Sequence, residues 1–161
     1  MDEKRIQDLF SLVEEKRVGF ERSKELLQEI IKDIENMGQC SQNEKLQKIY
    51  ALSLGKLFMD NGLTPWDMAK KSIHISELYL SKHPTDYEVN SSYLTVTEMI
   101  FEYEKSFHKA LELYQSQDRE LKKLAVQYLS HLKFYHEGFI SKSESERYYS
   151  EYQACLKNNN Y

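Results

Sequence analysis

The sequence predicts an all-α protein, and three observations carry that reading. No segment alternates apolar and polar residues for long enough to make a strand. The 161 residues hold only five Gly and two Pro against 40% apolar and 30% charged residues, a composition suited to amphipathic helices. Apolar side chains also recur in steps of three and four along most of the chain. The length supports one domain with a real core. The expectation is a single domain over 1–161, with six or seven amphipathic helices packed as a bundle or as an array of helical hairpins.

Residues 1–40 supply a long N-terminal helix, spanning 2–37. Ile6, Val13, Phe20, Leu27 and Ile34 fall in steps of seven, joined by Leu9, Ile30 and Met37, which makes an a/d seam. Lys16 and Ser23 occupy two intervening seam positions and Gly19 stands beside Phe20, so a bend near Val18-Gly19 is expected. The seam can line the protein's own core or pair with a copy of itself in a homodimer through residues 6–37. Gly38 ends the helix as a C′ residue does.

Residues 41–84 read as a helical hairpin. Ser41 and Glu44 form a capping box, and Leu46, Ile49, Tyr50, Ser53 and Leu57 share a face that Leu54 and Phe58 widen. Asn61-Gly62 stops this helix. Thr64 is the expected N-cap of the next one, with Pro65 at N1 and Asp67 at N3. His83-Pro84 ends it, because the residue before proline leaves the α region.

Residues 85–157 supply the C-terminal helices. Thr85 and Glu88 repeat the capping box, and Val89, Tyr93, Val96, Ile100, Tyr103, Phe107, Ala110 and Tyr114 come after them at helical spacing, which allows one helix over 86–117. Asp118 caps a further helix to Glu137-Gly138, with Leu121, Leu124, Tyr128, Leu132 and Tyr135 inward. Ser141 and Glu144 cap the last, which carries Tyr148, Tyr149, Tyr152 and Leu156. Residues 158–161 are expected to fray.

Charge and motif content narrow the function classes. Lys and Arg against Asp and Glu number seven to ten over 1–40, six to four over 41–84 and nine to twelve over 85–161, so only the middle is net basic. That falls short of the basic stripe of a dedicated nucleic-acid binder. Cys40 and Cys155 sit in no metal-binding spacing and make no disulfide framework. No apolar run is long enough for a membrane span and MDEKRIQDLF lacks a signal core, so a cytoplasmic protein with no membrane contact is expected. There is no phosphate-binding glycine loop, no G-x-S-x-G and no Cys-His pair, so the expectation is a non-enzyme without a cofactor.

Three family resemblances bear on function. IFEYEKSFHKALELYQ, residues 100–115, resembles the middle of a tetratricopeptide repeat, with Phe107, Ala110 and Tyr114 in its aromatic, small and aromatic places. Leu54-Gly55, Phe58, Ala69 and the closing Pro84 match it in part. The resemblance implies a groove for a peptide or protein partner, without catalysis. Gly62-Leu63-Thr64-Pro65-Trp66-Asp67-Met68-Ala69-Lys70-Lys71 resembles the start of a phage-repressor helix-turn-helix, which implies DNA binding by residues 62–82 with Ser76, Tyr79 and Lys82 on a recognition helix. Here Ile73-His74-Ile75 continue the helical pattern where that family turns. SHLKFYHEGFI resembles the histidine helix of DinB-type helical-bundle metalloproteins, which implies a metal enzyme, although Leu132 stands where a ligand four residues before His136 is needed.

The reading that accounts for most of the sequence is a protein-binding module: an adaptor, a small chaperone or an inhibitor of a larger partner. Tyr50, Tyr93 and Thr97 are its expected contact residues, in a groove walled by 42–82 and 86–117. Lys70 and Lys71, on the net-basic segment, suit an acidic partner. DNA binding and metal catalysis are the alternatives.

Overall fold

The computed structural model describes residues 3–38 and 43–157. Among the described residues there are nine α-helices and no strand. The expected fray at 158–161 and the Ser41 cap lie outside the described residues. The chain forms two compact units, Met1–Val96 and Thr97–Tyr161.

In the first unit the expected long helix is two helices, α1 (Glu3–Glu14) and α2 (Phe20–Met37). The break is a Schellman closure, in which Lys16 N–H donates to Val13 O at 3.2 Å and Arg17 N–H to Leu12 O at 3.1 Å. It places Lys16 at φ 52°, a left-handed conformation that glycine usually takes. Folding α1 against α2 puts the seam inside the unit: Ile6, Leu27 and Ile30 are fully buried and Val13 is 3% exposed. Burial of such side chains is worth about 1.5–3 kcal/mol each. Phe20, expected on the seam, is instead 58% exposed, because the chain changes direction just before it.

Helices α3 (Glu44–Asp60) and α4 (Trp66–Leu80) are the expected hairpin. The cap of α3 is Asn43, whose Oδ1 accepts from Leu46 N–H at 3.1 Å. Thr64 does not cap α4; its hydroxyl donates to Asn61 O, and the helix begins after Pro65. The two helices run antiparallel, since Ser72 Oγ donates to Ala51 O and Lys82, just past α4, reaches Glu44 at the start of α3. Gly55 permits the close approach: a Cβ there would lie 2.9 Å from Ser92 Oγ, 3.1 Å from Ser72 Oγ and 3.2 Å from Val96 Cγ2. Helix α5 (Tyr87–Met99) is capped by Asp86, through Val89 N–H, and not by Thr85.

In the second unit the 86–117 pattern is interrupted after α5, and α6 (Tyr103–Tyr114) comes next. The interruption is a second Schellman closure, with Glu102 N–H on Thr97 O at 2.8 Å and Phe101 at φ 64°. Residues 103–107 therefore belong to one continuous helix. Helix α7 (Arg119–Leu129) begins at the expected cap, Asp118, which accepts from Glu120 and Leu121 N–H. The helix expected to continue to 137 stops at Ser130, and α8 (Leu132–His136) is separate. Glu98 accounts for the new start: its carboxylate, 4% exposed, is met by His131 Nδ1 at 3.2 Å and by Lys133. Leu132, expected inward, is 65% exposed as a result. Gly138 closes α8 in the same Schellman geometry at φ 79°. Helix α9 (Lys142–Lys157) opens with the expected capping box, Ser141 N–H donating to Glu144 Oε2 at 2.8 Å and Glu144 N–H to Ser141 Oγ at 3.3 Å. α6 and α7 pack as a hairpin, and Phe107, Phe134 and Phe139 meet with ring centroids 5.2–6.2 Å apart.

Candidate docking groove

The first unit carries a groove of about 600 Å³ between the end of α2, α3 and α4. Ile34, Tyr50 and Ile75 line it with Glu35, Lys71 and Leu78. The helical repeat explains the α4 wall, because Lys71, Ile75 and Leu78 are four and three residues apart and share a face. Ile34 and Tyr50 belong to the apolar cluster that also holds Ile6, Ile30 and Leu46, so the floor is anchored in the core. Leu78 is 43% exposed at the open side.

One carboxylate oxygen organises the polar part. Tyr50 Oη donates to Glu35 Oε1 at 2.7 Å, and Lys71 Nζ donates to the same oxygen at 2.6 Å. The ammonium also lies 5.3 Å from the Tyr50 ring centroid, a cation–π distance. The Lys71 and Tyr50 hydrogen bonds hold the Glu35 carboxyl below its ordinary range. Burial, together with the Glu35 hydrogen bond, pushes the Tyr50 phenol up to about 12. At neutral pH the cluster is a carboxylate, an ammonium and a neutral phenol.

Of the five residues singled out from sequence, Tyr50 and Lys71 come together here. Lys70 is exposed on α4 but does not line the groove. Tyr93 is buried on α5, its hydroxyl donating to Glu77 Oε1 at 3.1 Å. Thr97 is fully buried and belongs to the second unit. Sequence reasoning missed Glu35 and the Ile75–Leu78 wall. The Lys71, Ile75, Leu78 spacing is visible in the sequence, but Glu35 lies 36 residues before Lys71 and only the fold pairs them.

A second cleft of the same unit, about 410 Å³, lies where α1 and α3 meet the end of α4, with Phe10, Lys48, Tyr79 and His83 on its walls. Four of its polar residues, Glu44, Lys48, Tyr79 and His83, brace the helices. Tyr79 Oη and Lys48 Nζ both bond Asp86 Oδ2, and Tyr79 stacks on His83 at 4.6 Å. Glu44 is held by His83 and Lys82, whose hydrogen bonds lower its carboxyl pKa.

Residues 66–80 form one uninterrupted helix, so the segment resembling a helix-turn-helix has no turn after Ser72. Glu104 and His108 approach only to 3.9 Å on an exposed face. Among the described residues no group of three or more His, Cys, Asp or Glu is placed to hold a metal ion. No described helix is long and apolar enough to cross a membrane. Comparison with family models, curated proteins and solved structures returns no match.

Proposed function

We propose that this chain is a cytoplasmic, non-catalytic protein-binding module of the adaptor, small-chaperone or inhibitor kind. Its α2–α3–α4 groove receives an acidic segment that carries apolar side chains. The observation that carries the reading is the exposed Leu78 at the rim of a groove whose floor is continuous with the core. A large aliphatic side chain left in water beside a preformed apolar floor is what a partner's side chain would cover. Lys71 and the neighbouring exposed Lys70 supply the charge complement, in the only net-basic segment of the chain. The pairing of α3 with α4 and of α6 with α7 is consistent with a hairpin array of the tetratricopeptide kind.

The test is affinity capture from the native host in mild salt with wild type, Leu78→Asp and Lys71→Glu. Leu78 is exposed enough for its replacement to leave the melting temperature near wild type. A protein recovered by wild type and lost at least tenfold by both variants supports the groove. Recovery of the same proteins by Leu78→Asp, or no recovery by wild type, overturns it.

A further inference from the structure

A second cleft, wholly within the Thr97–Tyr161 unit, has chemistry that the docking reading does not use. It encloses about 250 Å³ between the first half of α7 and the last turns of α9. Arg119, Lys122 and Lys123 line it, with Val126, Cys155 and one acidic residue, Glu151. Among the described residues none of the three cations forms an ion pair with a carboxylate. Lys122 instead lies over the Tyr114 ring, with Nζ 5.1 Å from the centroid.

Glu151 is already engaged. Tyr114 Oη lies 3.1 and 3.0 Å from its two oxygens, and Arg147 Nε is 3.9 Å from one of them. Asp118 is turned onto the Glu120 and Leu121 amides as the cap of α7, and it does not line the cleft. Three cations and one carboxylate therefore line the concavity, an excess of positive charge in a protein whose net charge is −4.

A structural account from the helix ends is too small. The carbonyl end of α9 carries about half a negative charge, and Lys157 in its last turn already complements it. The α7 cations also stand at i,i+3 and i,i+4 (Arg119 with Lys122 and with Lys123), a like-charge spacing that destabilises a helix on its own. Low-dielectric walls focus such a field on an anion entering the cleft.

We propose that the α7–α9 cleft is a binding site for a multiply charged oxyanion, a phosphate or diphosphate group. Arg119 offers the planar fork that pairs two phosphate oxygens, and Lys122 and Lys123 add point charges beside it. The group can come from a small free phosphate compound or from a phosphorylated side chain.

The full chain is titrated with inorganic pyrophosphate and, separately, with a phosphoserine peptide and its unphosphorylated twin, at ionic strength held constant with chloride. Amide NMR shifts are the readout. Saturable shifts at Lys122, Lys123, Ala154 and Cys155, half-complete at about 1 mM or below, are expected. The Arg119→Gln/Lys123→Gln variant should bind at least tenfold more weakly with an unchanged spectrum elsewhere. Lys142→Gln, an exposed cation at the far end of α9, should bind as wild type. Tighter binding of pyrophosphate identifies a free compound as the natural class, and tighter binding of the phosphopeptide over its twin identifies a modified side chain. Shifts that never saturate, that spread evenly over the surface lysines, or that fall equally in Lys142→Gln overturn the site. None of these outcomes involves Leu78 or Lys71, so failure here is distinct from failure of the docking groove.

Discussion

Replacing Lys16 by glycine should stabilise the protein, because Lys16 holds the left-handed closing position of a helix that glycine usually takes. Lys16 closes α1 at φ 52°, with its own amide on Val13 O and that of Arg17 on Leu12 O. An L-residue in that conformation carries about 1–2 kcal/mol of steric cost that glycine does not. Glycine in turn gains conformational freedom in the unfolded chain, worth about 0.4–1 kcal/mol against it. The Lys16 side chain is exposed and enters no ion pair among the described residues, so its loss adds little. The net expectation is a gain of about 0.5–1 kcal/mol, from the difference of those two terms. At a urea dependence of about 2 kcal/mol/M that moves the midpoint up by about 0.3–0.5 M. Lys16→Ala is the control, because it removes the same side chain and keeps the Cβ. Urea unfolding monitored by far-UV circular dichroism should order the proteins with Lys16→Gly above Lys16→Ala. If Lys16→Gly unfolds at the same or lower urea than Lys16→Ala, Lys16 is not left-handed and α1 does not end in this closure.

Gly55→Ala should destabilise, because its Cβ would meet Ser92 Oγ at 2.9 Å and Val96 Cγ2 at 3.2 Å; overpacking costs about 1–3 kcal/mol and better helix propensity returns about 1. A urea midpoint above wild type would show that α5 does not pack so closely on α3. The groove cluster should leave two marks on pH dependence. Glu35 has a lowered pKa in the folded state, so its contribution is present above the unfolded carboxylate value and is lost as pH falls through the folded one. Stability curves of wild type and Glu35→Gln should thus converge in acid and separate above it, and parallel curves would remove the Lys71–Glu35 pairing. Tyr50 has a raised pKa, so its contribution is intact below about pH 10 and declines as pH rises toward 12. Spectrophotometric titration of wild type should contain a late phenol that Tyr50→Phe lacks.

Where a helix stop is written in composition, it is readable from the sequence. Gly62 and Gly138 both sit at positive φ and close α3 and α8. Asp118 and the Ser141–Glu144 pair cap helices where their spacing places them. The breaks at Lys16 and Phe101 use the same pair of backbone hydrogen bonds with a residue that has a Cβ. Periodicity cannot signal them, because apolar spacing continues across the turn: Val13 and Ile100, the last buried apolar residues before each, are in phase with the apolar residues beyond it. Tertiary burial, such as that of Ile6 against α2, offsets the cost of the left-handed lysine. The N-caps shift for a related reason. The local pattern fits Thr64 and Thr85 as caps, while Thr64 bonds Asn61 O and Asp86 accepts the N3 amide of α5.

The same asymmetry governs the groove. Tyr50 and Lys71 can be picked out singly, as an aromatic and a cation on two faces of one hairpin. Glu35 joins them, from a different helix, through an oxygen that both donors share. On the proposed reading, an acidic ligand would have to compete with Glu35 at the Lys71 ammonium while gaining the apolar floor. On that reading the apolar contact through Ile34, Ile75 and Leu78 would supply most of the affinity, and the charge would supply orientation. An acidic segment without a large apolar side chain should bind this groove no better than it binds the exposed lysines elsewhere on the surface.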